Sequence, residues 1–186
     1  VREAFGIMEK AFLLELVYPV TNVQAPVTSA FKRAPKLMWL DTGLVNFAAN
    51  IQTELIGNKD IIDTWLGAIA EHIVAQELKV VANDHYIHHL NFWVRDKQGS
   101  NAEVDFIWQQ GSMLIPIEVK SGHNAHLRSV QSFMDLSAGD TAIRIWSGPY
   151  SVDKVTTPNG KAFKLINLPF YYVNCLPLIL KSVTGK

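Results

Sequence analysis

The chain has 186 residues, 48% of them hydrophobic and 18% charged, with a formal net charge of +0. That length suits one domain of ordinary size with a small appendage, and the apolar content excludes a disordered polymer. Balanced charge removes the simple argument for a nucleic-acid binder, although a local basic patch depends on where charges sit rather than on their sum.

A single cysteine, Cys175, excludes an internal disulfide and points to a reducing compartment. There is no charged leader followed by an apolar run and a cleavage site, and apolar runs such as Met113–Ile117 are far too short to span a bilayer. A cytoplasmic protein with no membrane partner is the expectation. The chain opens at Val1 in helix-compatible sequence without an initiator Met, as a piece of a longer polypeptide would.

In chain order, Arg2 to about Val17 reads as an amphipathic helix, with Phe5, Met8, Phe12 and Leu16 on one stripe. A turn-rich stretch follows to Pro35 and suits a short β-ribbon. Residues 1–35 are therefore expected as a small appended element, and 36–186 as the main body. Lys36–Leu40 reads as a strand entering a short helix capped by Asp41. Ile61–Val81 is the strongest helix of the sequence, with Leu66, Ala70, Ile73, Val74, Leu78 and Val81 on a broad apolar face and Asn83–Asp84 at its end. Strands are expected at Tyr86–Arg95, Glu103–Gln109 and Met113–Lys120. A second helix runs from about Ala125 to Leu136, opened by Ser121–Asn124. Ala142–Ser147 and Phe163–Ile166 read as strands and Val173–Lys181 as a closing helix. This order predicts a mixed sheet with helices on both faces.

The chemistry concentrates in Glu103-Val104-Asp105-Phe106-Ile107 and Ile115-Pro116-Ile117-Glu118-Val119-Lys120. Alternation along a strand puts Glu118 and Lys120 on one face, with Ile117 and Val119 on the other. If the two segments pair as a hairpin, with Val104 and Phe106 turned together to the opposite face, Asp105 sits beside Glu118. Two carboxylates that close repel, and one would take up a proton unless a cation lies between them. Mg²⁺ or Mn²⁺ resolves that conflict through carboxylate oxygens, and a lysine beside it can orient water or steady charge on a phosphate. The plain alternative is a surface hairpin carrying an ordinary Glu–Lys pair. Against it stands the cost of burying three charges in strands as apolar as these. The helix at Ile61–Val81 offers further carboxylates: periodicity sets Glu77 within its apolar arc and Glu71 at the edge.

The series G-x-x-x-E at Gly67–Glu71, EVDF at Glu103–Phe106 and IEVKSG at Ile117–Gly122 resembles the PD-(D/E)xK nuclease superfamily. More narrowly, the chain is similar to the C-terminal domain of certain prokaryotic AAA+ ATPases, the domain of unknown function 4143 type. PKLMWLDTGLVN (Pro35–Asn46), LNFWVRD (Leu90–Asp96), HLRSVQSFM (His126–Met134) and LPFYYVNCLPLIL (Leu168–Leu180) carry the likeness over most of the chain. It implies a restriction-endonuclease-like mixed sheet flanked by helices, with Arg2–Pro35 as a winged-helix remnant. It also implies that Asp105 and Glu118 hold the metal, that Lys120 is catalytic, and that the helix glutamate is Glu71 where periodicity leans to Glu77. DNA and an AAA+ ATPase module in cis are the implied partners. Two departures stand out: Gly99-Ser100-Asn101-Ala102 replaces a glycine-centred link, and the phosphate-loop motif G-x-x-x-x-G-K-[ST] is absent, so ATP would belong to a part outside these residues. The expected function is an Mg²⁺-dependent DNA nuclease domain that could self-associate, the alternative a non-catalytic module binding nucleic acid or protein.

Other signals are weaker. His85, His88 and His89 on a strand would split between two faces, which disfavours zinc. Lys32, Arg33 and Lys36, with His123, His126 and Arg128, could meet phosphates, although solvated surface is the commoner role for each.

Overall fold

The computed structural model describes residues 2–50, 63–81, 89–97, 99–120 and 127–184. The expected ends of the long helix at Ile61–Ile62 and Asn83–Asp84, the histidines His85 and His88, and the turn with its two histidines, 121–126, lie outside them. Nine strands and five α-helices are present among the described residues. Helix α1 is Arg2–Lys10, followed by strands β1 (Leu14–Val20) and β2 (Lys36–Trp39), then helices α2 (Thr42–Ala48) and α3 (Asp63–Val81). Strands β3 (Asn91–Val94), β4 (Glu103–Val104), β5 (Phe106–Gln110) and β6 (Met113–Lys120) lead to α4 (Arg128–Leu136). The chain closes with β7 (Thr141–Trp146), β8 (Ser151–Thr156), β9 (Ala162–Pro169), a 3₁₀ helix at Phe170–Cys175 and α5 (Leu176–Thr184). None of these helices is long and apolar enough to cross a membrane.

Instead of one mixed sheet, the strands form two, in the orders β2-β1-β3-β4 and β5-β6-β7-β9-β8. Both mix parallel and antiparallel pairs: β1 runs parallel to β3, and β6, β7 and β9 are mutually parallel. Strand β8 was invisible to periodicity because it lies at an edge and most of its side chains are exposed, so no alternation is demanded of it.

The N-terminal stretch departs most from expectation. The helix stops at Lys10 rather than continuing to Val17, and Leu14–Val20 is a strand. Phe12 adopts the left-handed region at φ 55°, Phe12 N–H donates to Glu9 O, and Leu13 N–H donates to Met8 O. That pair of bonds closes a helix by reversing the chain, a position where glycine is usual. Because a phenylalanine fills it, the apolar stripe continues through the stop. Strand β1 then inserts between β2 and β3, pairing antiparallel with one and parallel with the other. Leu14, Val17 and Val20 are fully buried. The sequence break at Pro35 is thus no break in the core: it falls between two hydrogen-bonded strands.

Two apolar cores lie on opposite faces of the sheets. Ile115, Ile117 and Val119 of β6, Ile143 and Ile145 of β7, and Ile166 and Leu168 of β9 pack with Ala70, Val74 and Leu78 of α3. Leu114, Ala142, Phe163 and Leu165 face the other way, onto Val130, Phe133 and Met134 of α4. The alternation is that of half-buried strands. It breaks once. Val104 belongs to the α4 core and Phe106 to the α3 core, although two residues apart on a regular strand they would share a face. Asp105 is therefore an inserted residue, a bulge that divides what would be one strand into β4 and β5. The expected placement of Val104 and Phe106 on a common face is wrong for that reason.

A buried ion pair ties the ends together. Glu15, 3% exposed, meets Lys79 Nζ at 2.8 Å, accepts from Leu90 N–H at 3.3 Å and faces His89 Nδ1 at 3.5 Å. Glu9 of α1 accepts from Leu16 N–H nearby at 3.2 Å. Removing one partner of a buried pair strands the other charge. Glu15→Ala should therefore lower the unfolding free energy by about 2–4 kcal/mol in urea titration, and Glu15→Met combined with Lys79→Met should recover most of it.

Candidate functional site

Asp105 is held by the strand it interrupts. Its Oδ2 accepts from Val119 N–H at 2.8 Å, taking a ladder position that a backbone carbonyl would fill in an unbroken hairpin. Asp105 lies one step beyond Phe106–Ile117, the last pair of the β5–β6 ladder, and its charge acts on Glu118 of β6. Glu118 is 5% exposed, and its Oε1 pairs with Lys120 Nζ at 2.6 Å, two residues along the same strand. Its other oxygen, Oε2, is buried with no hydrogen-bond partner. A buried carboxylate oxygen left in that state is costly unless something positive meets it.

Glu71 comes from α3 and Lys36 from the start of β2. Lys36 Nζ lies 2.5 Å from Glu103 Oε1 and 3.9 Å from Glu71 Oε2, and sits 4.8 Å over the Phe92 ring. The structure brings Glu71, Asp105, Glu118 and Lys120 within reach of one another's charge and adds Lys36 and Glu103 to the group. The available signal for Glu103 was its place two residues before Asp105. The sequence marks Lys36 only as a possible phosphate contact and as part of the segment Pro35–Asn46, not as a member of this group. Glu77 is six residues beyond Glu71, roughly 9 Å further along the helix axis and about 120° around it. Among the described residues it makes no hydrogen bond or ion pair with this group. An open cleft of about 450 Å³ borders the group at Glu103, with Arg33, Arg95 and Lys97 on its walls.

The electrostatics follow from crowding carboxylates in a poorly solvated place. Burial, and then the negative charge of Asp105, push Glu118 up to about 7 and Glu71 up to about 6. Burial also raises Asp105, against the opposing pull of the Val119 amide and the two lysines. Burial acts to lower Lys120, but its bond to Glu118 and the surrounding carboxylates outweigh that and raise it. Lys36 is raised in the same way by Glu103, Glu71 and Asp105.

Three carboxylates and no nitrogen or sulfur donor make a set suited to a hard divalent cation. The orphaned Glu118 Oε2 fits such an ion. The carboxylates are not drawn together as tightly as a coordination shell: the described acidic and histidine group whose ligand atoms all lie within 4.8 Å of one another is Glu9, Glu15 and His89. In that group Lys79 already sits on Glu15 and two backbone amides take the carboxylates, so a cation is in place and the cluster is a structural knot. Around Asp105 each acid instead has a partner of its own: the Val119 amide for Asp105, Lys120 for Glu118 and Lys36 for Glu71.

Over residues 66–170 the sequence matches a family described as a domain of unknown function (DUF4143). The match takes in Glu71, Asp105, Glu118 and Lys120 and leaves β1 and Lys36 outside it. No curated protein and no solved structure matches the chain.

A carboxyl whose folded value exceeds its unfolded one holds its proton more tightly in the fold. Stability from it is present below the unfolded value and is lost as pH rises through the folded one. For Glu118 and Glu71 that window runs from the ordinary 4.5 up to about 7 and about 6. Without metal, the unfolding free energy should fall across it. Glu118→Gln should flatten the fall and gain on the order of 1–3 kcal/mol at pH 8 relative to wild type. Added Mn²⁺ should raise the wild-type Tm more at pH 8 than at pH 5.5, as ligand stabilisation opposed by protons requires. Parallel pH curves for the two proteins would rule the account out.

Proposed function

The chain belongs to the DUF4143 family, and on that footing we propose that it is a divalent-cation-dependent nuclease domain acting on DNA. The observation that carries the reading is Glu118. One of its oxygens pairs with Lys120, while the other is buried and unpartnered, and the carboxyl feels the charge of Asp105.

In this reading Asp105 and Glu118 hold Mg²⁺ or Mn²⁺, with Glu71 assisting from α3. The ion supplies positive charge at a phosphate oxygen and makes a nearby water more acidic. The hydrogen bond from Val119 N–H fixes the Asp105 carboxylate in orientation, so little reorganisation is needed at reaction. Lys120 keeps its proton at neutral pH. It can release Glu118 to the ion and turn to the attacking water or the charge building on the phosphate. Lys36 restrains Glu103 and Glu71 and balances the acids before substrate arrives. The PD-(D/E)xK likeness, the restriction-endonuclease-type core and the AAA+ ATPase module in cis, which would supply ATP hydrolysis in the cytoplasm, belong to this proposal.

A second reading is a module that binds nucleic acid or protein without cutting. The wide spacing of the carboxylates favours it, since an assembled coordination shell would hold them closer.

The two readings separate by mutation. Asp105→Ala should abolish Mn²⁺ binding in calorimetry and any DNA cleavage. Lys120→Ala should lower cleavage by about 10²-fold or more while Mn²⁺ affinity changes little, because it removes a charge that acts on the water and the phosphate and not a ligand. If wild type binds Mn²⁺ and DNA yet cuts no single- or double-stranded substrate with nucleotide and the full-length protein present, the binding module is correct.

A further inference from the structure

The parallel strands β6, β7 and β9 end together, and in such sheets the carboxyl ends are where ligands meet the fold. Glu118 and Lys120 of β6 are in register with Arg144 and Trp146 of β7. Adjacent strands lie about 4.8 Å apart, and residues in parallel register share a face. Ile143 and Ile145 point into the α3 core, so Arg144 and Trp146 stand on the side of Glu118 and Lys120. None of the motifs in the sequence pointed to them.

Arg144 is held in one pose. Its guanidinium lies 4.2 Å over the Trp146 ring, and its Nε donates to Asn167 Oδ1 at 2.7 Å. Asn167, 1% exposed, is itself fixed: its Nδ2 donates to Asp153 Oδ2 at 2.6 Å and to Ser151 Oγ at 2.8 Å. Asp153 is thus engaged through the asparagine, and among the described residues no carboxylate bonds the guanidinium directly. Among the described residues, the Nη1 and Nη2 groups of Arg144 have no hydrogen-bond partner. Four N–H donors in a fixed plane, with one ring face covered and Nε anchored, form a fork matched to two oxygens of a phosphate.

We propose that Arg144, stacked on Trp146 and anchored by Asn167, is a phosphate-binding subsite for a nucleic-acid strand, one β-strand from the candidate metal residues. The subsite rests on the nuclease reading for its substrate class. The fork grips a phosphodiester beside the one at Glu118 and Lys120, and Trp146 holds the fork flat. Lysine could keep the charge at this position but not the fork.

The test uses the intact chain, a fluorescein-labelled single-stranded DNA oligonucleotide and chelator, with binding read by anisotropy over a salt series. Arg144→Lys should weaken binding about tenfold and lower the salt slope by about one. Arg144→Gln, which keeps a donor for Asn167, should weaken it at least as much. Lys181→Ala, which removes a charge from an exposed position of α5, should bind as wild type. Circular dichroism melts confirm that each variant is folded. Wild-type affinity in Arg144→Lys, equal losses in the Arg144 and Lys181 variants, or no wild-type binding would each overturn the subsite. The nuclease reading fails separately, if calorimetry finds no Mn²⁺ binding by the wild type. Arg144→Lys should leave Mn²⁺ affinity unchanged, so the two failures are distinguishable.

Discussion

The hydrogen bond from Val119 N–H to the Asp105 carboxylate is the interaction on which the rest of the site depends. A side-chain oxygen stands in for a backbone carbonyl, and the strand can then carry one residue too many. That extra residue hands Val104 to one core and Phe106 to the other. It also ends one sheet and begins the next, so the two sheets are joined by a bend and not by continuous pairing. Bulges of this kind re-aim side chains, and this one presents a carboxylate where an unbroken hairpin would have presented an amide–carbonyl pair.

Around that bend the charges are arranged in opposition. Three acids share a poorly solvated region, where burial raises all three and neighbouring carboxylates, Glu103 among them, add to it. Two lysines, one from the ExK strand and one from β2, offset part of the repulsion, yet Glu118 Oε2 remains without a partner. The contrast with Glu9, Glu15 and His89 is instructive. There the ligand atoms are closer, but Lys79 and two amides satisfy them, and Glu15 joins α1, β1, α3 and the start of β3. Proximity of acids alone does not mark a site. A buried acid left incompletely satisfied is the stronger sign.

The same rim extends across the sheet. The carboxyl ends of β6, β7 and β9 carry Glu118 and Lys120, then Arg144 and Trp146, then Asn167, where core strands would normally continue with aliphatic residues. Below this band the strands return to Leu114, Ala142 and Leu165 against α4. Each polar member but Glu118 is matched to its neighbours or left with donors outward. The band is a row of polar and aromatic residues, Glu118 and Asn167 of them buried, supported by an apolar base.

Much of this was legible in the sequence. Strand β6 was visible because Ile115, Ile117 and Val119 alternate with residues of other character, and α3 because its apolar positions recur at helical spacing. Asp41 announced a helix, and its carboxylate does accept from Gly43 and Leu44 N–H. Asp105, Glu118 and Lys120 stood out because their chemistry is written in residue type and short spacing, whereas Glu71 came from the family resemblance and periodicity leaned to Glu77. Long-range pairing decided the rest. Phe12 ends α1 in a conformation that residue type does not disclose, and only the slot between β2 and β3 makes Leu14–Val20 a strand. The bulge at Asp105 could not be read from a regular alternation, because a bulge is defined by what lies across it. Lys36 and Arg144 acquire their places from Glu103 and Asn167, partners 67 and 23 residues away in the chain. Periodicity reports the face that each segment must bury. Which faces meet, and which charges they bring together, is settled by packing among segments that the sequence keeps far apart.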